Sequence, residues 1–250
     1  MLQGKYEFFG KQYTLPVNEN ETYVNALHGL MANRTMTVKG SEIQDDFASL
    51  TLSLNLTGND PGYPFTMDID ITYTLSSEGF SIALSITNTM PNSPLPLYVG
   101  WHPYFACTAY KAVVTLDPCT KWNHVTMDSN FDPTGATEVN STFDGSSPIG
   151  GSLNTPTFYD DEFKATEPAG VCHDIKTRLY DPDTGQTVVL WQAPNFRFIH
   201  VFTGSMSRFG ENAIAIEPMS GMADAYNNHD HLSTLSGEEN WTGEFGVYVE

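Results

Sequence analysis

The sequence predicts an all-β fold, a large antiparallel β-sandwich with few or no long helices. Three observations predict it. Apolar and polar residues alternate with period two over long stretches, turn residues recur at intervals of ten or so positions, and no segment makes an amphipathic helix of three or more turns. In chain order, Phe8-Phe9-Gly10-Lys11-Gln12-Tyr13 reads as a hairpin turning at Gly10-Lys11. Leu50, Leu52, Leu54 and Leu56 fall on one face of a strand, with Thr51, Ser53 and Asn55 on the other. Ile69, Ile71, Tyr73 and Leu75 alternate with Asp68, Asp70, Thr72 and Thr74. After Ser76-Ser77-Glu78-Gly79 the pattern resumes at Phe80, Ile82, Leu84 and Ile86, which makes a hairpin with one buried and one wetter face. Further strands are expected at 112–116, 187–192, 196–202, 213–217 and 244–249. The Gly-, Ser-, Pro- and Asn-rich stretch from Asp128 to Pro156 reads as a long loop. No linker or internal repeat divides the 250 residues, so a single domain over 1–250 is expected.

Composition excludes several functions. Eleven basic against thirty acidic residues give a formal charge of −19. Nucleic acid is a poor partner for such a chain, because phosphate contacts need Lys and Arg to displace counterions. Phosphorylated substrates are disfavoured too, since only Arg34, Arg178, Arg197 and Arg208 offer a guanidinium fork. Cys107, Cys119 and Cys172 cannot all pair within one chain, and none has the spacing of a metal knuckle. The start of the chain has no signal-peptide apolar region, and no apolar run approaches the ~20 residues of a membrane span. A cytoplasmic protein with free thiols and no membrane partner is the expectation. Five Asn-x-Ser/Thr triplets, at Asn20, Asn33, Asn55, Asn140 and Asn240, do not establish secretion in a chain this rich in Asn, Ser and Thr.

The chemistry narrows by elimination. There are seven histidines, at 28, 102, 124, 173, 200, 229 and 231. None stands in a helical metal-binding spacing, and His229 and His231 lie in the polar run Asn227-Asn228-His229-Asp230-His231, so no metal site is expected. A Gly-x-Ser-x-Gly elbow and a Gly-rich phosphate loop are both absent. What remains is paired acid–base chemistry without a cofactor. His102 sits between Trp101 and Pro103-Tyr104-Phe105. Glu217 closes the apolar run Ala213-Ile214-Ala215-Ile216 and precedes Pro218, which is expected to end the strand there. A carboxylate beside a buried strand is costly unless it is solvated, paired or functional. By residue chemistry alone, a hydrogen-bonded structural role is the first reading of each of the two.

Gly100-Trp101-His102-Pro103-Tyr104-Phe105, Ala215-Ile216-Glu217-Pro218-Met219-Ser220-Gly221 with Asp224-Ala225-Tyr226-Asn227, and Leu27-His28-Gly29 together resemble the hallmarks of the aldose 1-epimerase (galactose mutarotase) family. The same order is kept by Gly10-Lys11-Gln12-Tyr13-Thr14-Leu15 with Asn18, Gly62-Tyr63-Pro64-Phe65, Asp132-Pro133-Thr134-Gly135, Tyr159-Asp160-Asp161-Glu162-Phe163 and Leu235-Ser236-Gly237-Glu238. The resemblance implies a β-sandwich of the galactose mutarotase type with a sugar in an open cleft. It also implies a cofactor-free isomerase that interconverts α and β anomers of a free hexose such as glucose or galactose. Glu217 matches the family's general base, His102 its general acid, His28 a second sugar-contacting histidine and Asp160 the carboxylate that holds ring hydroxyls. Asp160 is preferred over Asp161 because it stands three residues before the aromatic Phe163.

The resemblance further implies an arginine on a strand upstream of the first hairpin. Here the first arginine, Arg34, follows His28, so the expectation is a domain lacking that strand. The rival readings are a non-catalytic carbohydrate-binding protein that keeps the cleft, and a purely structural β-sandwich.

Overall fold

The structure is a computed structural model that describes residues 1–19, 24–153, 155–168, 174–204 and 213–250. Asn20, Cys172, His173 and Arg208 lie outside the described residues. In chain order the first strands are β1 (Lys5–Phe8), β2 (Lys11–Thr14), β3 (Thr37–Ile43), β4 (Phe47–Thr57), β5 (Thr66–Ser76), β6 (Gly79–Asn88) and β7 (Leu95–Leu97). Next come β8 (Tyr104–Ala106), β9 (Val113–Thr115), β10 (Thr120–Met127), β11 (Pro133–Val139), β12 (Gly151–Ser152), β13 (Thr155–Pro156) and β14 (Asp160–Pro168). The chain finishes with β15 (Ile175–Asp181), β16 (Gln186–Gln192), β17 (Phe198–Phe202), β18 (Ala213–Met219), a four-residue helix α1 (Ala225–Asn228), β19 (Ser233–Leu235) and β20 (Asn240–Val249). The chain is nearly all β, as expected. No helix among the described residues is long and apolar enough to cross a membrane. The strands gather into two compact units, one of Met1–Tyr98 with Gly221–Glu244 and one of Val99–Ser220 with Phe245–Glu250.

In the first unit, β3, β4, β5 and β6 form an antiparallel meander. Leu54 pairs with Ile69 and Ile69 with Ile86, so the alternating residues share one face as the sequence requires. That face is buried around Leu56, Met67, Ile69 and Ile86 and again at Ile82, but not throughout. At one end Leu75 is 61 % exposed. Alternation sets which side chains share a face, not how much of it is covered. The first hairpin also differs from expectation. Phe8 pairs with Lys11, so the turn residues are Phe9 and Gly10, both at positive φ. This register stacks Tyr6 on Tyr13 at 5.0 Å and buries Tyr6 and Phe8, which outweighs the turn preference of Lys11. Gly62 has φ +76, and a Cβ there would lie 2.1 Å from the Thr14 carbonyl oxygen. Only glycine fits that approach. Its own carbonyl accepts from the Tyr6 hydroxyl at 2.7 Å, and Tyr63 donates to the Pro96 carbonyl at 2.6 Å.

The second unit is a sandwich. A six-stranded sheet in the order β11-β10-β14-β17-β18-β8 faces a second sheet that contains β9, β15, β16 and residues 245–249 of β20. Val114, Leu116, Ile175, Leu179 and Leu190 come from the second sheet and its margins. They meet Trp122, Phe163, Ile199, Val201, Ile214 and Ile216 of the first in one buried cluster. The expected loop from Asp128 to Pro156 is therefore only partly a loop. Pro133–Val139 pairs with β10 as the edge strand β11, and β12 and β13 make a two-residue ladder. β11 is exposed almost throughout and has no apolar alternation to announce it. Its partner, not its own sequence, makes it a strand.

Candidate active site

The expected strand at 213–217 runs on to Met219, so Glu217 lies inside β18 and not at its end. Pro218 is tolerated because of where its missing proton would point. The Trp101 N–H donates to the Pro218 carbonyl at 3.1 Å, so the proline nitrogen faces the same segment, before β8 begins, and leaves the β17 ladder intact. Ile214 and Ile216 are buried in the sandwich core, which turns Glu217 to the opposite face.

Cross-strand register then assembles the site. Glu162 of β14 pairs with His200 of β17, and His200 pairs with Glu217 of β18. Ala215 pairs with Tyr104, and Gly100 bridges Met219, so the same register sets His102 opposite Glu217. His102 Nε2 lies 3.2 Å from Glu217 Oε1. One row across four chain segments thus reads Glu162, His200, Glu217, His102. The adjacent row reads Asp160, Phe202, Ala215, Tyr104. His200 Nε2 meets Asp160 Oδ1 at 2.7 Å, and the His102 ring stacks on Tyr104 at 4.9 Å. Asp161 projects to the other face, where His124 Nε2 reaches its Oδ1 at 2.6 Å and the His124 ring stacks on Phe163.

The electrostatics favour proton transfer. Burial pushes the Glu217 carboxyl up to about 7 against a lowering by His200, and Asp160 adds a smaller upward push. Burial alone would lower the His200 value. The hydrogen bond to Asp160 and the charges of Glu217, Asp160 and Glu162 outweigh it, and the net shift is upward. Burial and the charges of Glu217 and Asp160 raise the Tyr104 phenol, so it stays a neutral donor. A carboxyl poised near neutrality beside an imidazole can take a proton from one oxygen while its neighbour supplies one to another. Among the described residues no group of three or more His, Cys, Asp or Glu is placed to hold a metal ion.

Of the site residues expected from sequence, the structure brings His102, Glu217 and Asp160 together on one face of the second unit. His28 belongs to the first unit. It has φ 61 and follows a segment clamped by Asn18, whose side chain bonds both the N–H and the carbonyl of Leu27. Trp101 stacks on Phe245 at 5.2 Å against the core, while Tyr104 remains 38 % exposed on the site face. Arg34 pairs with Asp60. Burial pushes the Cys107 thiol up to about 12, which removes it as a nucleophile. His200 and Glu162 escaped the sequence reading. The available signal was one polar residue at an alternate position of an apolar strand, as in Phe198-Ile199-His200-Val201-Phe202. Glu162 is fully buried, and its cross-strand neighbour is His200.

Solved structures define the class of fold. A galactose mutarotase-like protein from Clostridium acetobutylicum matches with a TM-score of 0.83 at 20% sequence identity, covering 100% of this chain and 76% of that one. A galactose 1-epimerase from Lactobacillus acidophilus matches with a TM-score of 0.70 at 15% identity, covering 100% and 76%. At such identities the likeness is one of fold, and the fold is galactose mutarotase-like. Residues 2–248 match the sequence model of the family described as aldose 1-epimerase, and the chain belongs to that family. Its relative YihR of Escherichia coli K12, described as uncharacterised, is 25% identical over 253 residues, which span 99% of this chain and 75% of YihR.

Proposed function

We propose that the protein is a mutarotase, interconverting the α and β anomers of a free aldose. The observation that carries this reading is the 3.2 Å approach of His102 Nε2 to Glu217 Oε1 beside Asp160. The hydroxyl oxygen and the ring oxygen of a hemiacetal are bonded to the same carbon. A base for one and an acid for the other must therefore be neighbours, and these two are.

Ionised Glu217 takes the proton of the C1 hydroxyl, and the C1–O1 bond becomes a carbonyl. The bond from C1 to the ring oxygen breaks, and protonated His102 gives its proton to that oxygen. Rotation about C1–C2 presents the other carbonyl face. The ring hydroxyl then adds to it while His102 recovers its proton and Glu217 returns one to O1. Each proton carrier is expected to supply ~10²–10⁴-fold. Asp160 accepts from ring hydroxyls, with one carboxylate oxygen held by His200. His28 is assigned a sugar contact from the family resemblance. The two rows hold three carboxylates and no Lys or Arg, which favours a neutral hexose over a sugar phosphate.

The test is polarimetry or NMR exchange on freshly dissolved α-glucose and α-galactose. The protein is expected to accelerate anomer exchange, and His102→Asn and Glu217→Gln to lose the rate while sugar binding persists. Absence of acceleration by the folded protein across a panel of aldoses overturns the proposal.

A further inference from the structure

The pairing of β14 with β17 continues beyond Asp160 and Phe202. The Tyr159 N–H donates to Thr203 Oγ1 at 2.8 Å, and the Thr203 N–H donates to the Tyr159 carbonyl at 3.1 Å. The register therefore sets Phe158 opposite Gly204, on the face that carries Asp160 and Glu217. Glycine at 204 leaves room for the Phe202 ring, since a Cβ there would lie 2.0 Å from Phe202 Cζ. Phe158 meets Phe202 edge to face at 6.0 Å, and Phe131 meets Phe158 the same way at 6.3 Å.

These rings are not core residues. Phe158 is 58% exposed and Phe131 45% exposed. Phe131 also stands at φ 60, which a bulky residue adopts only where its surroundings hold it. They do hold it. The Phe131 N–H donates to the Asp128 carbonyl at 3.1 Å, and Asp128 Oδ1 accepts from the N–H groups of Asn130 and Asp132. A braced loop thus presents an exposed aromatic ring beside a second one, and both lead into the carboxylate row.

Pyranose rings offer C–H faces that pack on aromatic rings, and hydroxyl edges that carboxylates accept. β18 and β14 are separated by β17 and Asp160 stands one row along from Glu217, so the two backbones are roughly 12 Å apart, enough for one pyranose to reach both side chains. The reducing ring must keep its anomeric and ring oxygens at Glu217 and His102. Any substituent therefore leaves from its far side, past Asp160, toward Phe158. We propose that Phe202, Phe158 and Phe131 form a second sugar subsite, so that the substrate is a reducing oligosaccharide of at least two rings. The proposal rests on the mutarotase reading for the placement of the reducing ring.

The experiment compares anomer exchange of glucose and galactose with that of maltose, lactose and cellobiose. At least one disaccharide is expected to have a kcat/KM roughly tenfold above that of its reducing-end monosaccharide, the gain of one or two aromatic contacts. Phe158→Ala and Phe131→Ala are expected to lower kcat/KM for the disaccharide more than for the monosaccharide, and Phe158→Trp to restore the preference. Disaccharides no better than monosaccharides, or variants that lower both alike, overturn the subsite while leaving the mutarotase reading intact. If no sugar is turned over, the mutarotase reading falls and the subsite is read by binding. Weaker maltose, lactose or cellobiose titration in Phe158→Ala than in the parent supports it, and equal titration overturns it.

Discussion

The role of base proposed for Glu217 suits a carboxyl that burial raises to about 7 against the lowering by His200, where loss and gain of a proton are both accessible at neutral pH. Two predictions belong at this scale. The first concerns rate. Glu217 must be ionised to act, so kcat/KM is expected to rise with pH through about 7 on its acidic limb. His200 lowers the Glu217 value, so His200→Gln is expected to move that limb to higher pH. Polarimetric rates from acid to mildly alkaline pH measure both, and an unmoved limb in His200→Gln refutes the role given to His200. The second concerns stability. The folded value, about 7, lies above the ordinary 4.5, so the fold favours the protonated carboxyl. Stability from this group is fully present below about 4.5 and is lost as pH rises through 7. The raised His200 value acts in the same direction, since stability from a bound proton is lost as pH rises through its folded value. Glu217→Gln removes the cost of the buried charge. At about pH 8 it is expected to be more stable than the parent by up to about 3 kcal/mol, or several degrees in Tm, while losing activity. Thermal melts at acid and alkaline pH check this, and the gain should vanish at acid pH.

At the scale of elements, β14 shows how alternation divides one strand between two tasks. Phe163 enters the sandwich core while Glu162 turns to the site face. Phe163→Ala is expected to cost about 3–5 kcal/mol in urea unfolding, as a large-to-small core change. The turn at Gly62 makes a different demand. Gly62→Ala combines a positive φ with a clash against the Thr14 carbonyl, and is expected to cost at least about 2 kcal/mol by the same measurement. The strands at 187–192, 196–202, 213–217 and 244–249 were legible because apolar β-formers cluster there. β11 was not, because an exposed edge strand has no burial to pattern its residues. The Glu217 strand was read too short for a related reason. Pro218 signals an end only where the neighbour its nitrogen faces needs that proton for a ladder, and here the proton would have faced the short segment at Trp101.

Across the whole molecule the −19 charge opposes compaction through self-repulsion. Screening by salt should relieve it, since the Debye length falls from roughly 30 Å at 0.01 M to 3 Å at 1 M. The Tm is expected to rise over that range of sodium chloride, and a Tm that is flat or falls refutes a stability governed by net charge.

The sequence by itself determined the all-β class and the faces of the long strands and, through the family resemblance, pointed to His102 and Glu217 as the proposed acid–base pair. Those properties are local, or are carried by motifs whose residues adjoin in the chain. Only the tertiary structure decided which residues complete the row. His200 and Glu162 stand 17 and 55 residues from Glu217 in the chain, and no periodicity links them. Register across β14, β17 and β18 does, because antiparallel pairing sets opposite residues on one face whatever their distance in sequence. The same register separates Asp160 from Asp161 physically, by assigning them opposite faces of β14, where the sequence preferred Asp160 only through the family's spacing to Phe163.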